Sequence, residues 1–448
     1  VNRTVTTYTR VSRSTLQRLT DPVDAASLGV FRIVFGVFVA VDAWRYLGYG
    51  WVRQYYIDPA FNFRYLFFDF VHPWPGDGML LHFAATSVLA LLAAAGLFYR
   101  VSSALLFVAY AYTFLLEQSV YMNHHYLMVL LAFLLACLPA HRAFSLDRAR
   151  GAVTESSVPL WSIAILRFQL AIVYLFGAIA KLNSDWLRGE PMYSTLIAQP
   201  ADFPAVAALV PPQVLALGIA YAGIAVDLAI PLLLCRRRTV VWGIALAASF
   251  HLLNGLFLRI GVFSWLMTGA VLIFLPPDWP RRMMRRQRAV DTRESPPQPA
   301  ARRSFALVLV GLYATVQLAL PLRHWLYPGD VNWTEEGHRF AWRMKLRAKH
   351  SVMTITATDP RTGRTWQIDP AQDLTRRQIA KMHTFPDMLL QYVHWHRDRL
   401  EADGIAAPEI RVDWLCSQNW QPLRRMADPT ANLAAEPRTL WPARWILR

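Results

Sequence analysis

A chain of 448 residues that is 55% hydrophobic and 17% charged is too apolar to be disordered and too long for a disulfide-stapled mini-domain. Its three cysteines, Cys137, Cys235 and Cys416, lie far apart, which leaves no disulfide framework and no paired-cysteine metal site. The formal charge of +16 would suit a nucleic-acid binder, but the placement of the basic residues around the apolar runs argues otherwise.

A bilayer core needs about 20 apolar residues per helix. Nine stretches are read as spans: Leu28 to Trp44, Met79 to Tyr99, Ser103 to Leu116, Leu127 to Pro139, Leu160 to Ala180, Val214 to Leu234, Val240 to Leu258, Ile260 to Leu275, and Phe305 to Leu322. The third and fourth are short and are expected to extend through Gln118 to Tyr126. The predicted fold is an all-α membrane bundle of about nine transmembrane helices over residues 28–322, followed by a small extracytoplasmic α+β domain over 323–448.

Arginines set the orientation. Residues 1–27 carry Arg3, Arg10, Arg13 and Arg18 and are expected in the cytoplasm, with no cleavable signal because Asp21 and Asp24 precede the first apolar run. An alternating path puts Arg100, then Arg142, Arg148 and Arg150, then Arg236 to Arg238, and finally RRMMRRQR (281–288) on that same side. The last run reads as a topology determinant touching anionic lipid, not as a nucleic-acid site. It sits in a cytoplasmic linker over 277–303 that contains SPPQP. Compactness and arginine usage point to a bacterial cell membrane.

The tail alternates toward strand over His350 to Thr358, turns at DPRTG (359–363), and returns over Arg364 to Ile368. Asp387 to Leu400 has helical spacing and Glu409 to Leu415 reads as a further strand.

One residue departs from the habits of the chain. Lysine occurs only at 181, 345, 349 and 381, so Lys181 is the sole lysine among the first 344 residues, and it ends the apolar run VYLFGAIAK. A desolvated lysine can surrender its proton and act as a base, which arginine cannot do. The alternative is a lysine snorkelling to the headgroups. At 1.5 Å per residue, Lys181 lies about 30 Å along its helix, near the outer surface. His124, His125, His251 and Asn254 fall at similar depths on two other spans, which implies a polar pocket open to the outer face. Adjacent histidines on a helix diverge and no carboxylate stands beside them in their spans, so no metal is expected. Asp185 reads either as an anchor for Lys181 or as an N-cap or loop residue at the membrane exit. Arg32 and Arg167 read either as pocket members or as links between helices.

Several segments carry a resemblance. YMNHHYLMVLLAFLL (121–135) resembles the WNNHSYLYGLLAFQL-type segment of vitamin K-dependent γ-glutamyl carboxylases. AKLNSDWLRGEPM (180–192), FHLLNGLFLRIGVFSW (250–265), DAASLGVFR (24–32), NWT (332–334), RTG (361–363), DMLLQY (387–392) and ADPTANL (427–433) continue it in order, from about residue 20 to 435. The membrane part is also similar to the wider group of horizontally transferred transmembrane domains.

The resemblance implies that Lys181 deprotonates vitamin K hydroquinone. Its reaction with dioxygen gives a strong base that removes a γ-hydrogen from a peptide glutamate, carbon dioxide is captured, and the quinone leaves as its epoxide. His124 would be catalytic beside Lys181, Asn123, His251 and Asn254 would line the quinone pocket, and no metal would take part. The stretch GHRFAWRM (337–344) supplies the expected peptide contacts His338, Arg339, Trp342 and Arg343, with a solvated charged strand as the alternative. His338 stands where the family has a tyrosine. The expected partners are a glutamate-containing peptide or protein, the lipid bilayer and a quinone reductase. The expected cosubstrates are a reduced phylloquinone or menaquinone, O2 and CO2. Quinol epoxidation without carboxylation, and quinone or lipid binding without catalysis, are the alternatives. Animal members are longer, so propeptide-type recognition is not expected for a chain ending at Arg448.

Overall fold

The structure, a computed structural model, describes residues 15–198, 210–258, 262–284 and 299–448. The basic N-terminal residues before 15, the second half of RRMMRRQR and most of the 277–303 linker lie outside the described residues.

The first half is helical. In chain order come α1 (Ala26–Gly48), α2 (Gly78–Ala95), α3 (Tyr99–Leu116), α4 (Asn123–Cys137), α5 (Trp161–Lys181), α6 (Pro212–Leu234), α7 (Val240–Leu258), α8 (Val262–Ala270) and α9 (Ala300–Leu322). Among the described residues, α1, α2, α3, α5, α6 and the 303–326 stretch that includes most of α9 are long and apolar enough to cross a membrane. The apolar stretches Asn123–Cys137, Val240–Leu256 and Phe263–Phe274 are shorter, so six of the nine expected spans reach that length among the described residues.

The chain also breaks where extension was expected. Helix α3 ends at Leu116, Gln118–Val120 form a 3-10 turn, and α4 starts at Asn123. Polar bonding holds the break open: Glu117 accepts from the side chains of Asn62 (3.0 Å) and Gln378 (3.0 Å) and from the backbone N–H of Phe63 (3.2 Å) and Ser119 (2.8 Å). These bonds satisfy a buried carboxylate that a continuous helix would leave without partners.

Close helix approach relies on small residues. A Cβ on Gly36 of α1 would sit 2.6 Å from the Ala90 carbonyl oxygen of α2. Gly96 ends α2 at φ +67°, and a side chain there would meet Ser145 and the Arg32 guanidinium below 3 Å. Arg32 occupies that space, donating to the carbonyls of Ala94 (3.2 Å), Ala140 (2.8 Å) and Phe144 (2.6 Å). Arg167 likewise donates to the carbonyls of Ile273 and Leu275, both at 2.8 Å. Both arginines link segments far apart in the chain, which favours the structural reading of each.

The C-terminal part carries a four-stranded antiparallel sheet. A short pair, β1 (Pro22–Asp24) with β2 (Ser157–Pro159), precedes it in the helical region. The sheet holds β3 (Lys349–Thr358), β4 (Thr365–Ile368), β5 (Glu409–Gln418) and β6 (Arg424–Arg425) in the order β4-β3-β5-β6. Strands β3 and β5 pair along ten residues, from Lys349 opposite Gln418 to Thr358 opposite Glu409. Helices α10 (Arg376–Met382) and α11 (Pro386–Ala402) pack on it around a core that includes Tyr392, Trp414 and Met388. The predicted hairpin, helix and strand are all present; β5 runs three residues beyond its expected end.

Candidate active site

The site is organised on one face of α5, where Tyr174, Gly177 and Lys181 follow at helical spacing. Lys181 is 8% exposed. Its Nζ donates to Asp227 Oδ2 of α6 and, at 3.5 Å, to the Gly177 carbonyl, and it lies 5.4 Å from the Trp186 ring centre. The sequence reading offered Asp185 as the carboxylate that could anchor this amine; the structure gives that place to Asp227, itself 3% exposed. Gly177 makes room for this approach, because a Cβ there would meet Asp227 Oδ2 at 3.1 Å and the Met344 methyl at 3.4 Å.

Two turns earlier, the Tyr174 hydroxyl and His251 Nε2 of α7 share a 2.6 Å hydrogen bond. Phe263 of α8 joins the two histidine positions: its ring stacks on His124 at 5.1 Å and meets His251 edge-on at 6.1 Å. His125 is turned away toward α1, its ring 6.3 Å from Tyr46. Asn254 is half-buried one turn beyond His251. Lys181, Asp227, Tyr174, His251 and His124 are thus drawn from four helices, α4 to α7, toward the end of the bundle that meets the C-terminal domain.

The 337–344 segment lies across that end. Asn123 donates to the Arg343 carbonyl at 3.0 Å, and the Tyr121 hydroxyl accepts from the Phe340 N–H at 2.8 Å. Trp342, 1% exposed, packs 5.0 Å from Tyr126 inside the bundle's apolar core, so its ring faces the membrane helices. Phe340, Trp342 and Lys345 take left-handed backbone angles, with φ of +64°, +55° and +54°. Such angles are strained for bulky side chains and concentrate where the surroundings impose them, commonly at functional sites.

This segment also creates a cationic nest outside the bundle. The Phe385 ring has Arg339 at 4.5 Å, Arg347 at 5.8 Å, Lys381 at 5.9 Å and the His338 ring at 5.9 Å. Burial, then the positive charges of Arg347, Arg343, Arg339 and Lys349, hold His338 well below the usual histidine range. Burial together with Arg377, Arg347 and Arg339 pushes Lys381 down to about 8. Glu335 is bound by Arg347 and by Lys349 (2.7 Å), Arg339 by Asp387 (2.6 Å), and Arg343 by the Asn332 side chain (2.9 Å). Polar atoms remain: among the described residues neither His338 nitrogen has a hydrogen-bond partner, nor does Arg339 Nη2 or Arg343 Nε. Buried, unpaired donors in a positive field suit a carboxylate ligand.

Asp185 lies in the short turn after α5, where it is not the cap, and Lys181 pairs with Asp227 instead. Asn183 caps the short turn that follows α5, while buried Asp185 accepts from Gln418 (3.0 Å) and Asn419 (2.8 Å) at the end of β5 and from Arg188 (2.7 Å). Asn419 in turn accepts from the Ala348 N–H at 2.9 Å, beside β3. The loop carrying Trp186 is thereby tied to the edge of the cationic nest.

Asp227 is the partner of Lys181 that sequence reading missed. It is the only acidic residue between Asp202 and Asp278, and a lone carboxylate in an apolar span is itself a signal. Among the described residues, no group of three or more His, Cys, Asp or Glu side chains is arranged to hold a metal ion.

Comparison with known families divides the chain in two. A model described as HTTM domain matches residues 20–279, more than half of the chain. One described as vitamin K-dependent gamma-carboxylase, lumenal domain, matches residues 302–448. No solved structure matches the chain. The apolar helices with the lumenal-domain match make this a membrane protein with an extracytoplasmic domain.

Proposed function

The chain belongs to the HTTM-domain, vitamin K-dependent gamma-carboxylase family, and from that premise we propose that it is a peptidyl-glutamate carboxylase. In this reading it couples oxidation of a reduced naphthoquinone to its epoxide with carboxylation of peptide glutamate, consuming O2 and CO2. The observation that carries the reading is Lys181, buried against Asp227 one turn beyond Gly177, which the Met344 methyl approaches.

A short Lys–Asp contact in a dry site can exist as ammonium and carboxylate or as amine and carboxylic acid. In the latter form Lys181 Nζ takes the proton of a quinol hydroxyl, and Asp227 sets how readily it does so. The quinol supplies the free energy, since no side-chain base reaches a glutamate γ-hydrogen. His124, with the Tyr174–His251 pair, borders the ring and donates to developing negative charge. Asn123 fixes the covering segment, and Asn254 lines the same region. The isoprenoid tail lies among the apolar helices. The peptide carboxylate is held by His338, Arg339 and Arg343, with Trp342 between this nest and the bundle, so that the reacting groups are prepositioned.

The orientation that fits has the N-terminus in the cytoplasm of a bacterial cell, the nest outside, and a separate reductase returning the quinone to hydroquinone. Purified protein given vitamin K hydroquinone, labelled bicarbonate and a glutamate-containing pentapeptide should form epoxide and label the peptide. Epoxide without label would reduce the activity to quinol epoxidation. Neither product would leave a quinone- or lipid-binding protein and overturn the proposal.

A further inference from the structure

A second polar cluster is enclosed between α1, α2, α3 and α4, away from Lys181. It surrounds a cavity of about 30 Å³ whose walls include Asp42, Tyr46, Tyr56, Tyr110, Glu117 and His125. That is room for a water molecule or two among several polar partners. Glu117 is saturated by its four donors, and the tyrosines are hydroxyls at apolar walls. Asp42 and His125 are different.

Asp42, 8% exposed, has a single side-chain partner among the described residues, Arg45 one turn on at 3.3 Å. Arg45 reaches toward the surface, 5.5 Å from the Trp51 ring and 5.8 Å from that of Tyr49, which is exposed. On the other wall, His125 Nδ1 lies 3.3 Å from the Val120 carbonyl. A carbonyl only accepts, so Nδ1 carries the hydrogen and Nε2 is the basic nitrogen. The His125 ring is in edge contact with that of His124, 4.5 Å between centres. A continuous series of titratable groups therefore runs from the candidate site to the surface: His124, His125, the cavity, Asp42, and the mouth at Arg45.

We propose that this cavity is the proton outlet of the reaction. The inference rests on the carboxylase reading, whose balance demands an outlet. The two quinol hydrogens and one oxygen atom of O2 leave as water, and the other oxygen becomes the epoxide. Replacing a glutamate γ C–H bond by a C–CO2⁻ bond then releases one proton per turnover. That proton starts in a site sheltered from water. His125 accepts it at Nε2 and passes it across the cavity to Asp42, from which it leaves beside Arg45. Intramembrane ionisable groups facing a small hydrated space are suited to this work.

The test separates the first turnover from those that follow. Wild type, Asp42→Asn and His125→Ser are compared in lipid nanodiscs with hydroquinone, O2, pentapeptide and saturating bicarbonate as the CO2 source. With enzyme in excess over quinol, both variants should form epoxide within 2-fold of the wild-type rate. With substrate in excess, kcat should fall about 10-fold, and its solvent deuterium isotope effect should rise. Variants with wild-type kcat and isotope effect would overturn the outlet and leave the carboxylase reading intact. So would a loss of first turnover matching the loss in kcat, which marks a merely structural cluster. Wild-type protein that forms no epoxide would instead remove the reading beneath the inference.

Discussion

Two lysines in this molecule are buried against a carboxylate and a tryptophan, and their surroundings differ. Lys349, in the extracytoplasmic domain, donates to Glu335 and to the Trp333 carbonyl beneath the Trp333 ring, and its carboxylate is shared with Arg347. Lys181, in the bundle, has one carboxylate to itself and a distant carbonyl at 3.5 Å. The first arrangement spends its donors on fixed acceptors. The second leaves proton-transfer capacity that a substrate hydroxyl can use. Burial alone does not mark a base; the count of acceptors around the nitrogen does.

The sharpest way to break this contrast is to remove each amine. Lys181→Ala should lower epoxide formation by about 10³-fold, within the range for loss of a positioned acid–base group. Small exogenous amines should restore part of it. Lys349→Met should leave epoxide formation at saturating quinol within a few-fold and act on folding, read by thermal unfolding. Equal losses in the two variants would erase the distinction.

A smaller effect is expected at the partner. Asp227→Asn keeps the shape but removes the proton-sharing acid, and should cost on the order of 10- to 100-fold in epoxide kcat. The pH–rate profile should move with it. An unmoved profile would show that the carboxylate only packs.

Next comes pH. Lys381 is cationic below about 8 and neutral above. Peptide KM should therefore rise about 5- to 10-fold as pH passes through that value, reflecting loss of one cation near the anion. Lys381→Met should flatten the dependence without altering epoxide kcat at saturating peptide.

The least effect concerns stability. His338 is held below its unfolded value of about 6.5, so the unfolded chain binds the extra proton and stability falls as pH drops through 6.5. The unfolding midpoint should decline by roughly 2–4 °C between pH 7 and 5. His338→Phe should lessen that decline.

Much of the architecture could be read from residue order. The apolar runs, the hairpin at 359–363 and the α11 periodicity are local patterns, and each reappears within a few residues. Lys181, His124 and His251 could be singled out because ionisable groups in apolar runs stand out singly. Their partners could not be assigned, because Asp227 and Asp42 acquire meaning only when another helix arrives beside them. The break at Glu117 was misread for the same reason: two of its four donors lie more than fifty residues upstream, at 62 and 63, and one lies 261 residues downstream. The cationic nest also draws on residues from 338 to 381, and only His338, Arg339 and Arg343 of it were visible as a cluster.

The paired strands β3 and β5 have an experimental use. Ten residues in register at about 3.3 Å each make a stiff strut of roughly 30 Å. Its inner end holds Lys349 and Gln418, while the loop at its far end, where Gly363 has open space around it, projects from the protein. An affinity handle or fluorophore spliced between Arg361 and Gly363 would be carried clear of the chemistry, giving a place to immobilise or watch single molecules at work.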